Sequence, residues 1–198
     1  MNILILGGAG FIGTNLVKMS LQKGKHHLTV VDSLDPLFKS NLNNLKKDLN
    51  KITFIKGDIR NKKLMAKIVK NQEAIINCAA QTSHPLSLKN PLVDVEINCL
   101  GTLTVLEAIK EYNPAAKFIY VSSSTLIGKA VSETVDEKHS ERPLDIYSAN
   151  KGVAEKYCYI YHRVYGLKTV SLRFSNVYGP YGKNSPDFGF INYFINGA

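Results

Sequence analysis

Short apolar runs alternate along this chain with longer segments in which apolar residues recur every three or four positions. Apolar runs of strand length predict buried strands over residues 2–6, 28–31, 52–55, 74–78, 117–121 and 168–172. Helical periodicity predicts helices over residues 11–23, 62–70, 91–112 and 145–165, with a polar helical stretch at 41–50. Strands that alternate with helices are typical of parallel sheets. The pattern therefore predicts an α/β fold with a doubly wound parallel sheet and helices on both faces.

The carboxyl ends of the predicted strands carry the polar and glycine-rich segments. Such segments begin after Leu6, Val31, Ile55, Val121 and Leu172. Ligands of open parallel sheets bind at this edge. A binding site is therefore expected there.

The first of these segments is a glycine-rich turn between a strand and a helix. Gly7, Gly10 and Gly13 follow G-x-x-G-x-x-G, and Gly8, Gly10 and Gly13 also satisfy G-x-G-x-x-G. Glycine permits positive φ angles and a close approach of the backbone to a pyrophosphate, and the free helix N-terminus attracts its charge. Asp32 ends the second strand, where a carboxylate can bind an adenosine ribose. These features predict a Rossmann-type dinucleotide site.

The cofactor preference follows from the same carboxylate. Asp32 would repel the 2′-phosphate of NADP, and no arginine follows in residues 33–36. The sequence therefore predicts NAD as the cofactor.

Composition and charge narrow the function further. The chain has 198 residues, of which 44% are hydrophobic, as expected for one domain of ordinary size. Its three cysteines are scattered and its five histidines form no cluster, so we expect neither disulfides nor a metal site. The net charge of +9 is dispersed, which favours a lysine-rich surface over nucleic-acid binding. Without a secretory signal or an apolar run of membrane length, the protein is expected to be cytoplasmic, with no membrane partner.

A second motif, Tyr147-Ser148-Ala149-Asn150-Lys151, places a tyrosine and a lysine on one helix face. An ammonium near a phenol favours the phenolate, so we expect a lowered pKa for Tyr147. Residues 122–125 are hydroxyl-rich and leave the fifth strand where a cofactor would lie. A hydroxyl there could hold a substrate oxygen beside the tyrosine, although such residues also form ordinary turns.

The order of these motifs carries a resemblance to a known family. The glycine turn, Asp32, Gly57-Asp58-Ile59-Arg60, Asn77-Cys78-Ala79-Ala80, Val121-Ser122-Ser123-Ser124, Tyr147-x-x-x-Lys151 and residues 173–180 follow one another in a single chain. The sequence resembles the NAD-dependent nucleotide-sugar epimerase/dehydratase family, which belongs to the extended short-chain dehydrogenases/reductases. The resemblance implies a domain over residues 1–180 that binds NAD. Residues 181–198 would be the incomplete start of a small, truncated substrate lobe.

The resemblance also implies a role for individual residues. The pyrophosphate turn would comprise Gly7, Gly10, Phe11, Ile12 and Gly13, and Asp32 would bind the ribose. The rest of the cofactor would contact Asp58, Ile59, Cys78, Ala79, Ala80, Gln81, Tyr147, Lys151, Phe174 and Val177, with Lys151 on the nicotinamide ribose. The catalytic residues would be Tyr147 as acid/base, Lys151 and Ser123, with Ser124 as the alternative serine. The substrate would contact Ser83, His84, Ser124 and Asn176. For His84, the alternative is a loop histidine that contacts solvent or backbone.

The reaction expected from the resemblance is epimerisation of a nucleotide-diphosphate sugar through a transient keto sugar. Ser124 and Thr125 stand where dehydratases of the family have Asp-Glu, which disfavours elimination. Dehydration, decarboxylation or dinucleotide binding without turnover are the alternatives, and turnover by these 198 residues alone is expected to be poor. The family often dimerises through two long helices, here near 91–112 and 145–166. Leu103, Leu106, Cys158 and Tyr161 are interface candidates unless they pack on the chain's own sheet.

Overall fold

A computed structural model describes residues 1–182, 191, 194 and 195. Six strands form one parallel sheet in the order β3-β2-β1-β4-β5-β6. They are β1 (Asn2–Leu6), β2 (His27–Asp32), β3 (Thr53–Lys56), β4 (Ala74–Asn77), β5 (Lys117–Ser123) and β6 (Lys168–Phe174). This order is that of a Rossmann sheet, whose topological switch point lies between β1 and β4. The predicted fold class is confirmed.

The α-helices follow the predicted alternation. They are α1 (Phe11–Gln22), α2 (Lys62–Ile68), α3 (His84–Lys89), α4 (Pro91–Asp94), α5 (Thr102–Tyr112) and α6 (Ile146–Tyr165). The helix α6 begins at its N-cap Asp145, whose carboxylate accepts a hydrogen bond from the Ser148 amide, and ends at Gly166 in a left-handed conformation.

The predicted helices at 91–112 and 41–50 differ from the structure in detail. A π-helical segment, Val95–Gly101, connects α4 to α5, so the long helix is continuous but widened. At this segment a Cβ on Gly101 would lie 2.6 Å from the side chain of Ile59, so the backbone approaches Ile59 closely. Residues Leu42–Lys51 form 3-10 turns instead of an α-helix. Leu42 and Leu45 are spaced by three residues, the period of a 3-10 helix, and Leu45 is fully buried.

The two faces of the sheet bury separate apolar clusters. Leu4 and Leu6 face α2, α5 and α6, whereas Ile3 and Ile5 face α1. This alternation is expected of a strand that is buried on both sides.

The dimer candidates from the sequence lie mostly in the core of the chain. Leu106 is fully buried, and Cys158 and Tyr161 are also buried in the cluster beneath α5 and α6, while Leu103 is partly buried against it. For Leu106, Cys158 and Tyr161, the structure therefore shows the stated alternative, packing within the chain's own core. The substrate lobe expected at 181–198 falls for the most part outside the described residues.

Candidate active site

A cavity of about 300 Å³ runs across the carboxyl edge of the sheet. Most of the site residues predicted from the sequence line this cavity. The predicted residues that line it are Gly7, Gly10, Phe11, Ile12, Gly13, Asp32, Asp58, Ile59, Cys78, Ala79, Ala80, His84, Ser123, Ser124, Tyr147, Lys151, Phe174, Asn176 and Val177. The site thus combines side chains from all six strand ends.

The glycine turn is held in a conformation that leaves its helix N-terminus open. Gly7 has φ +74°, and the amides of Gly7 and Gly8 donate to the Val31 carbonyl at 2.8 and 3.1 Å. Gly10 caps α1 without a side-chain hydrogen bond, and the first turn carries no acidic residue. The partial positive charge of this helix end is therefore available to an anion.

Close packing explains the third glycine of the motif. A Cβ on Gly13 would lie 2.2 Å from the Gly7 carbonyl oxygen and 2.6 Å from the Gly8 Cα. A Cβ on Gly8 would instead meet Val30, and Gly8 does not line the cavity. The structure therefore favours the Gly7, Gly10 and Gly13 spacing as the cradle, and its shape fits the pyrophosphate of a dinucleotide.

Asp32 lies at the end of β2 and is almost completely buried. Its Oδ2 accepts from the Ala9 amide at 2.9 Å, and its Oδ1 accepts from the Leu34 amide and the Ser40 hydroxyl at 2.9 and 2.8 Å. The carboxylate thus also fixes the glycine turn relative to the loop after β2. It lines the cavity together with Ser33, Phe38 and Ser40, three residues that the sequence analysis did not assign.

Asp58 and Ile59 form the neighbouring wall, after β3. Partial burial alone would raise the pKa of Asp58, but hydrogen bonds from Arg60 outweigh it and hold that pKa below its ordinary value. Arg60 also pairs with Glu96 at 2.9 Å. Asp58 therefore has a cationic partner of its own, and the buried Ile59 offers an apolar surface to a flat ring.

The loop after β4 divides into residues that face the cavity and residues that support it. Cys78, Ala79 and Ala80 line the cavity, and burial raises the pKa of the Cys78 thiol to about 12. Gln81 is fully buried and does not line the cavity, because its amide nitrogen donates to the Ser83 carbonyl and to Asp94. Ser83 is also buried, and its hydroxyl accepts from the Leu86 amide as the N-cap of α3. The structure therefore does not support direct contact of Gln81 with the cofactor or of Ser83 with the substrate.

Tyr147, Ser123 and Lys151 come together at the other end of the cavity. Burial raises the pKa of Tyr147 to about 12, while a hydrogen bond with Ser123 acts in the opposite direction. Ser123 also shares a hydrogen bond with Thr125 at 2.8 Å, and Thr125 accepts from Ser148 at 2.9 Å. Of the two candidate serines, Ser123 is therefore the one that contacts Tyr147.

The pKa expected for Tyr147 is wrong in direction. The Lys151 ammonium donates to the Val121 carbonyl at 2.5 Å and lies 4.2 Å from the centre of the Tyr120 ring. Burial lowers the pKa of Lys151 itself to about 8. Burial therefore dominates for both groups in this structure, and the i, i+4 spacing alone did not indicate how deep they lie.

His84 has a partner that the sequence did not reveal. Its Nδ1 lies 2.6 Å from a carboxylate oxygen of Asp145, and its ring packs edge-on against Tyr147 with centroids 4.9 Å apart. Burial alone would raise the pKa of Asp145, but hydrogen bonds from Ser148 and His84 lower it overall. Because an ionised carboxylate only accepts, Nδ1 of His84 is the donor of this contact, and the described residues offer no hydrogen-bond partner to Nε2. His84 thus has a side-chain partner in addition to solvent, to which 43% of its side chain is exposed.

Neither a metal site nor a membrane-spanning helix is found among the described residues. No group of three or more histidine, cysteine or acidic side chains within them is arranged to hold a metal ion. In the same part of the chain, no helix has the length and apolar character needed to cross a membrane.

Comparison with known proteins identifies the family. The family model described as "NAD dependent epimerase/dehydratase family" matches residues 3–198. This chain belongs to that family, which confirms the resemblance noted in the sequence and, at the level of the family, the dependence on NAD.

Three relatives show the range of activities within this family. A Methanocaldococcus jannaschii protein, provisionally named a UDP-glucose 4-epimerase, is 37% identical over 98% of this chain and 62% of its own length. The crystal structure of Thermotoga maritima UDP-glucose 4-epimerase with UDP-glucose has a TM-score of 0.89 at 32% identity, over 98% of this chain and 62% of that one. DesIV, a dTDP-glucose 4,6-dehydratase from Streptomyces venezuelae solved with NAD, has a TM-score of 0.91 at 30% identity, over 99% and 61%. The chain thus spans about three fifths of these relatives.

Proposed function

We propose that this chain binds NAD in the described cavity and contributes the catalytic half of a nucleotide-sugar epimerase. The observation that carries the proposal is the arrangement of the cavity. The glycine turn and Asp32 lie at one end, and Tyr147, Ser123 and Lys151 lie at the other. Relatives solved with NAD and with UDP-glucose support both ligand classes.

Two parts of NAD would bind to residues of this chain already described. The open N-terminus of α1 would bind the pyrophosphate, and Asp32 would accept hydrogen bonds from the adenosine ribose. The fit is supported by the cradle that a Cβ on Gly13 would fill. When bound, NAD supplies the capacity to accept a hydride from the sugar and to return it.

Tyr147 is the residue that would move the proton. As the phenolate, it would take the proton of a sugar hydroxyl while the carbon of that hydroxyl is oxidised, and it would later give the proton back. Ser123 would hold the same oxygen. The Lys151 ammonium would favour the phenolate once its side chain turns from the Val121 carbonyl toward the nicotinamide ribose. With the oxidation and the reduction that NAD would supply, the sugar would be released as its epimer with no net redox change. His84, Ser124 and Asn176 line the cavity where the sugar would extend.

The proposal is tested with NAD⁺ and a panel of nucleotide sugars that includes UDP-glucose. We expect nucleotide-sugar-dependent absorbance of reduced nicotinamide within the protein, and an epimeric sugar on product analysis. Tyr147→Phe should abolish both while it retains NAD⁺ binding. Turnover in Tyr147→Phe equal to that of the unchanged protein would contradict the proposal.

Dehydration is a second candidate, favoured by the His84–Asp145 pair. Elimination of water needs a proton donor or acceptor in addition to the tyrosine, and an imidazole held by a carboxylate is such a group. A dehydrated keto-deoxy sugar among the products would identify this reaction in place of epimerisation.

A homodimer through α5 and α6 is also proposed, by residues other than those first expected. Leu100, in the π-helical segment that leads into α5, is exposed by 52%, and Ile160 and Val164 on α6 are exposed by 47% and 66%, so this face retains an apolar surface. Light scattering should give the mass of a dimer, and Val164→Asp should reduce it. A monomeric mass for the unchanged protein would refute the dimer.

A further inference from the structure

Asp94 is a fully buried carboxylate at the end of α4 that the proposed chemistry does not use. Three side-chain amides donate to it. Gln81 Nε2 donates to Oδ2 at 2.7 Å, and Asn98 Nδ2 and Asn150 Nδ2 each donate to Oδ1 at 2.8 Å. Such a set of donors satisfies a buried anion without a cation. Among the ion pairs of the described residues, none includes Asp94.

The three amides belong to three different segments that build the site. Gln81 follows the cavity wall of Cys78, Ala79 and Ala80, and it holds both backbone groups of Ser83, the residue before His84. Asn98 lies in the π-helical segment and donates also to the Gln81 carbonyl at 3.0 Å. Asn150 lies on α6 between Tyr147 and Lys151. One carboxylate therefore connects the loop after β4, the π-helical segment and the catalytic helix.

The charge of Asp94 also reaches the catalytic residues. Burial is the main reason that the pKa of Tyr147 is raised, and the negative charge of Asp94 raises it further. For Lys151, burial lowers the pKa, while the charge of Asp94 opposes that effect. The other groups that act on Tyr147 are Ser123 and Asp145, with His84 packed on its ring. Those that act on Lys151 are Cys78, Cys158 and Glu155.

We propose that Asp94 is a positioning residue for the proposed reaction: its buried carboxylate, which accepts from Gln81, Asn98 and Asn150, holds the His84 loop against the catalytic helix. This inference rests on the proposed function for its meaning in catalysis. The hydrogen bonds of Asp94 and its charge are tested by different variants.

Two variants test them. Asp94→Asn removes the charge and replaces one acceptor oxygen by a donor NH2 group, so it also loses at least one of the three hydrogen bonds. Asn150→Ala removes one donor and keeps the charge. The readout is the ¹³Cε titration of Lys151 in ¹³C-lysine-labelled protein, with the signal assigned by its loss in Lys151→Met. In Asp94→Asn, we expect Lys151 to lose its proton about 0.3–1 pH unit lower, a two- to tenfold change in proton affinity. Asn150→Ala should leave that titration unchanged.

Turnover provides the second readout. The pH dependence of nucleotide-sugar-dependent nicotinamide reduction should shift in Asp94→Asn, while the dissociation constant of NAD⁺ stays within about threefold. Asn150→Ala should lower the rate without a shift of the profile. Asp94→Asn with the rate and the pH profile of the unchanged protein would overturn the inference.

Folding failure is controlled by a smaller neutral variant. Asp94→Ser leaves room for a water molecule that could accept from the amides. If both Asp94 variants fail to fold, Asp94 is a folding residue and the inference is overturned. If the unchanged protein shows no nicotinamide reduction with any sugar, the proposed function fails, and the Lys151 titration still decides whether the charge of Asp94 acts on the site.

Discussion

Replacement of Gly13 by alanine tests the geometry of the pyrophosphate cradle. The added Cβ would lie 2.2 Å from the Gly7 carbonyl oxygen, and contacts under 3.0 Å are essentially never seen for a real Cβ. The turn would therefore have to move by about 0.8 Å, the difference between these two distances, and its contacts are backbone atoms that cannot rotate away. Overpacking of this kind costs about 1–3 kcal/mol of the free energy of unfolding.

The consequence for NAD⁺ follows from the same displacement. The amides that face the pyrophosphate lie on the turn that would move, so we expect the dissociation constant of NAD⁺ in Gly13→Ala to rise by at least about tenfold, or about 1.4 kcal/mol. Calorimetric titration measures this affinity, and urea unfolding measures the stability in the same samples.

Gly24→Ala is the matched control for this variant. Gly24 has φ +69° at the end of α1, and no atom lies within 4 Å of a Cβ added there. Alanine at position 24 is therefore disfavoured only by the left-handed backbone conformation, which costs about 1–2 kcal/mol. The free energy of unfolding should fall by an amount similar to that in Gly13→Ala. NAD⁺ affinity should be unchanged in this control. Affinity in Gly13→Ala within twofold of the unchanged protein would refute the steric argument.

Four other predictions concern the catalytic tyrosine, the histidine and the core. Because burial raises the pKa of Tyr147 to about 12, the ultraviolet difference between the unchanged protein and Tyr147→Phe should show no phenolate near the ordinary tyrosine pKa of about 10; a phenolate signal below that pH would contradict the burial argument. Since the unfolded chain then loses this proton first, Tyr147 should make stability fall as pH rises from about 10 to 12, a slope that urea titrations of Tyr147→Phe should lack. His84→Gln keeps a polar atom near the position of Nε2, whereas His84→Asn keeps one near the position of Nδ1, toward Asp145. His84→Gln should therefore raise the KM for UDP-glucose less than His84→Asn does. The reverse order would mean that the substrate does not contact Nε2. Phe118 is fully buried, so Phe118→Ala should lower the free energy of unfolding by about 3–5 kcal/mol in urea titrations, and a loss below about 1 kcal/mol would mean that the site collapses freely.

The features that sequence predicted well are those fixed by local geometry. Gly7 needs a positive φ and Gly13 needs a close backbone approach, and both requirements are visible in a glycine pattern. The doubly wound parallel sheet was likewise predicted, because apolar runs alternate with helices, whereas its strand order is known only from the structure.

The features that were missed depend on contacts between distant segments. Asp145 is 61 residues from its partner His84, and Asp94 is 56 residues from Asn150. Nothing in the local pattern around any of these residues indicates the pairing. The depth of Tyr147 and Lys151 is a property of the packed α6 against β5, so the helix spacing predicted their shared face but not the sign of the phenol's pKa shift. Gln81 was assigned by its position in a motif, whereas its side chain turns inward to a buried acceptor.

The most direct test of the central claim is a calorimetric titration with NAD⁺ and NADP⁺. It is made on the unchanged protein, on Asp32→Ala and on Ser40→Ala, which removes one donor to Asp32 but keeps the carboxylate. Thermal unfolding of each variant controls for the loss of the acceptor that holds Ala9 and Leu34. We predict that NAD⁺ binds at least about tenfold more tightly than NADP⁺, or about 1.4 kcal/mol, that folded Asp32→Ala loses this binding, and that Ser40→Ala retains it. Equal or tighter binding of NADP⁺, or no binding of either by the folded protein, would contradict the assignment of this cavity as an NAD site.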